Sequence, residues 1–163
     1  MDTTIRRCRL DEAGEILGVI NAAAERYRGA IPDDCFHDPY MSAEELAGEI
    51  ADGVEFWGAE AGGRLVGVMG LQDRGEVMLI RHAYVRPGMQ GVGIGGALMS
   101  HLRRSTGKPM LIGTWAAAEW AIRFYQARGF RLVPSRETPG LLSRYWTVGP
   151  RQIEVSMVLT DQA

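Results

Sequence analysis

RPGMQGVGIGGALMSHL, Arg86 to Leu102, sets five glycines between Gly88 and Gly96 and then turns directly into a helical pattern. Gly91, Gly93 and Gly96 satisfy the spacing GxGxxG, which dinucleotide-binding turns share. In such a turn the first glycine follows its strand directly, and an acid about twenty residues on binds the ribose hydroxyls. Here Pro87, Gly88, Met89 and Gln90 intervene, and the next strand ends at Thr114 and Trp115 with no acid. The dinucleotide reading fails. The physics of the loop stands: without Cβ atoms, backbone amides can close on an anion at a helix N-terminus, where the dipole adds to the attraction. A pyrophosphate suits such a loop; the alternative is a turn that only packs a helix tightly against a sheet.

The flanks place the loop in a fold. IRRCRL near the start reads as a short strand, and Asp11 can cap a helix whose apolar residues Ile16, Leu17, Ile20 and Ala24 recur at helical spacing. A long loop, RYRGAIPDDCFHDPYM, leads to SAEE, a capping box in which Ser42 bonds the Glu45 amide, and a second helix runs to Gly53. VEFWGAE, RLVGVMGLQ and EVMLIRHAYV follow as an antiparallel meander, turning at Gly62–Gly63 and at Asp73 to Gly75. After the glycine loop come a helix from about Gly93 to Arg104, a strand PMLIGTW, a helix through AEWAIRFYQAR stopped by Gly129, and strands FRLVP and RQIEVSMVL. SRETPGLLSRYWTVGP carries no clear period and reads as loop. The sum is α+β, a meander continuing into a βαβα unit on a mixed sheet.

A chain of 163 residues suits one domain, 1–163, with one site. No apolar run is long enough to span a membrane, and charges break up the first residues before a signal-peptide core could form, which points to the cytoplasm. A net charge of −2, with Lys and Arg scattered, argues against a nucleic-acid partner. Cys8 and Cys35 lack CxxC spacing and read as free thiols. Cys35 near His37 and Asp38 is a weak candidate nucleophile or ligand group, and a metal site has little support.

VRPGMQGVGIGGALM resembles the acetyl-CoA loop of the GCN5-related N-acetyltransferase (GNAT) superfamily, V-x-P followed by Q/R-x-x-G-x-G/A. Val85, Arg86 and Pro87 fill the first part; Gln90, Gly93 and Gly95 fill the second. AIRFYQARGF, Ala121 to Phe130, matches the family's A-I-x-F-Y-x-x-x-G-F. The resemblance implies a central mixed, mostly antiparallel sheet flanked by about four helices, with a splay between two parallel strands holding acetyl-CoA. The cofactor-binding set it implies is Ala83, Tyr84, Val85, Gln90, Gly91, Val92, Gly93, Gly95, Gly96 and Phe124, with no metal. The family often has Asn three residues before the Ala of AIxFY; this chain has Ala118 there.

The implied reaction is direct attack of an amine on the thioester, which requires a base, oxyanion donors and an acid for the leaving thiolate. The resemblance gives the acid to Tyr125 and the oxyanion contact to the Val85 amide. Glu76, opening its strand, and His82, of a residue type whose unperturbed pKa near ~6.5 suits the task, are the candidate bases, beside a water relay. Strand alternation puts Arg81 on the face of Ala83 and Val85 unless a bulge switches parity, and the family leads one to expect such a bulge. Tyr27, Arg28 and Tyr40 in the long loop, with Arg81, are the candidate substrate contacts. An unpartnered Arg81 would favour a small amine bearing an acidic group, such as an amino acid or an analogue; pairing with Glu76 or Asp73 would remove that argument. A catalytically silent CoA-binding sensor is the competing reading, and a homodimer is compatible with either.

Overall fold

The computed structural model describes residues 2–162; the two terminal residues of the expected domain lie outside them. Seven strands form one sheet: β1 (Thr4–Arg7), β2 (Glu55–Ala61), β3 (Arg64–Asp73), β4 (Met78–Val85), β5 (Met110–Trp115), β6 (Arg131–Leu132) and β7 (Ser156–Thr160). Their order across the sheet is β1-β2-β3-β4-β5-β7-β6, with only β4 and β5 parallel. The helices are α1 (Ala13–Ala24), α2 (Ala43–Ala51), α3 (Ile94–Arg104), α4 (Glu119–Gln126), α5 (Thr138–Tyr145) and α6 (Pro150–Glu154).

Central β3 is buried from Leu65 through Gln72 without alternation, because helices cover both faces. On one face Ile16, Val19 and Ile20 of α1 and Leu46 of α2 pack on Phe56, Leu65 and Val68. On the other, Leu98, Met99 and Leu102 of α3 and Ile122 of α4 pack on Met69, Leu71, Ile80 and Ile112. The β2–β3 turn needs two left-handed residues, and Gly62 and Gly63 take φ of 60° and 78°.

The structure corrects several expectations. Asp11 does not cap α1: residues Leu10–Glu12 form a 3₁₀ turn, and Glu12, buried at its end, accepts a hydrogen bond from the Arg9 amide at 2.7 Å. The stretch read as loop contains α5, whose buried stripe of Thr138, Leu142 and Tyr145 spans barely two turns, too little for a period to show. RQIE is not strand but most of α6, started by Pro150 at the first helical turn, where its missing N–H costs nothing. FRLVP forms strand only at Arg131 and Leu132, with one further hydrogen bond from the Val133 amide to Val158 O at 3.0 Å. The helices therefore number six among the described residues rather than about four.

Candidate active site

Two departures from regular pairing in β4 build the site. The ladder pairs Gly70 with Arg81 and Val68 with Tyr84, so Met69 faces both His82 and Ala83 across a bulge. His82 takes φ 56°, a left-handed conformation uncommon outside glycine. The extra residue switches parity. Ala83 and Val85 join Met78 and Ile80 on the α3–α4 face, while Tyr84 joins the α1–α2 face.

The second departure is the splay. β4 pairs with β5 only at Met78–Ile80 against Met110–Ile112. Beyond that the strands part, and the backbone edge of β4 is exposed. Arg86 donates its N–H to Val66 O at 2.8 Å, so by the alternation of an antiparallel ladder the polar groups of Val85 face the other edge, which β5 has left. Gln90 Nε2 reaches the Val85 carbonyl there at 3.3 Å.

A cleft of about 400 Å³ opens at the splay on the α3–α4 face, lined by Ala83, Val85, the glycine loop, Phe124 and Tyr125. At its floor Gly93 is the first residue before α3, with φ 88°, and no side chain caps the helix. A Cβ added at Gly93 would meet no atom within 4 Å, so the space over the first-turn amides is open. Arg128 holds its guanidinium 3.7 Å over the Phe124 ring and donates to the Phe124 carbonyl at 3.0 Å. Among the described residues it has no carboxylate partner. Open amides, a helix N-terminus and an unpaired arginine together make a seat for phosphate groups.

A smaller recess of about 110 Å³ lies through the splay, lined by Tyr40, Arg81, His82, Trp115 and Trp146 among others. Tyr27, Ala83, Tyr84 and Tyr125 line both spaces, so the two meet there. Tyr125 is 7% exposed and its hydroxyl has no hydrogen-bond partner among the described residues. Burial pushes its pKa up, so at neutral pH it keeps its proton. Trp115 Nε1 donates to the Tyr40 hydroxyl at 2.8 Å, fixing the recess wall.

A family model described as an acetyltransferase (GNAT) domain matches residues 21–140. The chain belongs to the GNAT acetyltransferase family. Solved structures share the fold end to end. The PaiA N-acetyltransferase of Thermoplasma acidophilum, solved with coenzyme A, superposes with a TM-score of 0.76 at 18% identity, covering 100% of each chain. A GNAT-family acetyltransferase of Staphylococcus aureus Mu50 gives 0.72 at 17% identity over 99% of this chain and 100% of that one. N-acetylglutamate synthase of Neisseria gonorrhoeae, complexed with coenzyme A and N-acetyl-glutamate, gives 0.67 at 22% over 98% of this chain but 35% of its own. Identity at this level carries the fold alone. Among curated proteins no significant match is found.

Within this GNAT fold, the cleft gathers Ala83, Tyr84, Val85, Gln90, Gly91, Gly93, Gly95, Gly96, Phe124 and Tyr125 from the sequence-based set. Val92 is instead 68% exposed and lines neither space. Tyr27, Tyr40, Arg81 and His82 meet in the smaller recess. Arg28 stands outside both, its guanidinium held by Glu25 at 2.9 Å and Asp38 at 3.2 Å. Glu76 is also away from the splay, paired with Arg144 at 2.8 Å and accepting from the Tyr145 hydroxyl at 3.0 Å. Arg81 lies opposite Ala83 and Val85 because of the bulge, and its charge is met by Glu49 at 3.2 Å and by Gln72 Oε1 at 3.1 Å. Glu49 and Arg128 escaped the sequence reading: one sits in the last turn of α2, the other at a variable position of AIRFYQARGF, and neither spacing signals a site.

No group of three or more His, Cys, Asp or Glu among the described residues could hold a metal ion. No helix among them is long and apolar enough to cross a membrane.

Proposed function

We propose that the protein transfers the acetyl group of acetyl-CoA to the primary amine of a small molecule, by direct attack in a ternary complex. The observation that carries this is the junction of two recesses at Ala83, Tyr84 and Tyr125, inside a strand splay whose edge amides are unpaired. Acetyl-CoA supplies the activated acyl group. Its pantetheine arm would pair with the free edge of Val85 as an added strand does, with its phosphates over the amides of Gly91 to Gly96 and beside Arg128.

His82, lining the acceptor recess, takes the proton of the entering ammonium. The amine then attacks the thioester carbon, with the Val85 N–H facing the oxyanion; the nitrogen sheds its second proton to solvent and the C–S bond breaks. Tyr125 gives its proton to the thiolate and regains one from solvent. Its hydroxyl, free of any partner among the described residues where the two recesses meet, favours catalysis over a silent sensor.

The recess also narrows the acceptor. No carboxylate lines either space among the described residues, and the Arg81 guanidinium and the His82 ring already meet Glu49. Nothing there would pair with the second cation of a polyamine, and Arg81 is not free for a substrate carboxylate. The acidic acceptor expected from an unpartnered Arg81 therefore gives way to a compact amine with a single charge, its body against Tyr27, Tyr40, Trp115 and Trp146. Incubation with acetyl-CoA and a panel of compact, acidic and polyamine acceptors, followed by mass spectrometry, tests this. Acetyl amides of the compact class are the expected products; exclusive acetylation of polyamines would overturn the assignment.

A further inference from the structure

His82 is held from an element remote in sequence. The bulge turns its imidazole toward α2, where Nε2 lies 2.6 Å from Glu49 Oε1. Phe56 and Tyr84 flank the ring at 6.2 Å and 6.4 Å, both close to parallel with it. The other nitrogen, Nδ1, has no hydrogen-bond partner among the described residues. His82 and Glu49 are 16% and 20% exposed, so water screens the contact poorly. The titratable or charged groups around the ring are Glu49 from α2, Arg81 and Tyr84 from β4, and Tyr40 from the segment before α2. Arg81 Nη2 shares the same Glu49 oxygen at 3.2 Å. Arg81 in turn leads through Gln72 to the Asp52 carboxylate, at 3.1 Å from Gln72 Nε2.

We infer that Glu49 is a positioning residue for the transfer: its carboxylate accepts the Nε2 proton of His82, leaving Nδ1 bare to take the proton that the attacking ammonium loses. This rests on His82 as the base. A histidine held through one nitrogen by a carboxylate has its tautomer fixed and its cationic form stabilised, and the opposite nitrogen is the basic one. One N–H bond of the ammonium breaks, the proton passes to Nδ1, and the imidazolium faces Glu49 until it returns that proton to solvent. The left-handed backbone at His82 fits such a use, since conformations of this kind persist where the surroundings enforce them and cluster at functional sites. A purely structural account would have Glu49 only tie α2 to β4 through Arg81.

Glu49→Gln separates the two, because the amide keeps an acceptor for Nε2 and removes the charge. If Glu49 positions His82, kcat falls roughly 10- to 100-fold with little change in KM for acetyl-CoA. The acid limb of the kcat/KM profile moves to lower pH, since imidazolium has lost its counter-charge. Glu49→Asp restores part of both. An NMR titration of the three histidines, with His82 assigned by its loss in His82→Gln, reads the same contact without turnover: its midpoint drops in Glu49→Gln. A fall in kcat with the limb and the midpoint unmoved would assign Glu49 to packing and overturn the inference. If no amine supports thiol release in the wild type, the proposed reaction fails, and an unmoved midpoint would still refute the Glu49–His82 coupling separately.

Discussion

In the proposed transfer the acid is a single oxygen, the Tyr125 hydroxyl. Its ring packs edge-on against Phe124 and Phe130, at 5.3 Å and 6.2 Å between centroids, so the position of the hydroxyl is set by contacts that do not involve it. Tyr125→Phe keeps those contacts; kcat is expected to drop by roughly 10- to 10⁴-fold with acetyl-CoA affinity nearly unchanged. Undiminished turnover would return Tyr125 to the core. In the proposed site, phosphate binding turns on Gly93. A β-branched replacement would strain φ 88° whatever the space, so the informative change is Gly93→Asp, since aspartate tolerates the left-handed region better. A carboxylate over the first turn of α3 should weaken CoA by at least about tenfold, roughly 1.4 kcal/mol, with the fold retained. Unchanged CoA binding by calorimetry would remove the phosphates from this loop.

At the scale of elements, the buried carboxylate between β1 and α1 gives a prediction about pH. Glu12 accepts from Arg6 at 2.7 Å and 2.9 Å and from the Arg9 amide at 2.7 Å. The Arg6 hydrogen bonds hold its pKa down to about 2, against the opposing effect of burial and with help from the Arg9 amide. Because the folded value lies below the ordinary 4.5, this stabilisation is complete above 4.5 and is lost as pH falls through about 2. Glu12→Gln should therefore cost about 1–3 kcal/mol at neutral pH, by denaturant titration, and the gap to wild type should close toward the acid end. A gap independent of pH would contradict the ion pair. Sequence reading reached β2 to β5 from apolar runs bounded by turn residues, and α1 to α4 from helical spacing or end signals such as Ser42, whose Oγ accepts the Glu45 amide at 3.1 Å, and Gly129. It missed α5, which is no shorter than α4 but lies in a stretch without a clear period, and the five-residue α6; both are fixed by tertiary contact. Leu142→Ala, emptying the α5 contact with Leu79 and Val158, should cost about 2–5 kcal/mol.

Across the whole molecule, the site depends on where β4 stops pairing, and only part of that is written locally. The glycine loop and the Phe124–Tyr125 pair stood out as motifs. The partner of Arg81 did not, because Glu49 lies 32 positions away in sequence, while the bulge just after Arg81 turns Ala83 and Val85 to the opposite face. The two cysteines, both among the described residues, offer no covalent carrier at the site. Neither cysteine lines the two recesses, and burial, with Glu12 nearby, pushes the Cys8 thiol up to about 11. Acetyl transfer should then need both substrates bound at once. The measurement that tests this most directly is the initial rate of CoA thiol release with acetyl-CoA and a compact amine varied together. Intersecting double-reciprocal lines, with release dependent on the amine, are predicted for a ternary complex at the splay. Parallel lines, or release indifferent to every amine, would contradict it.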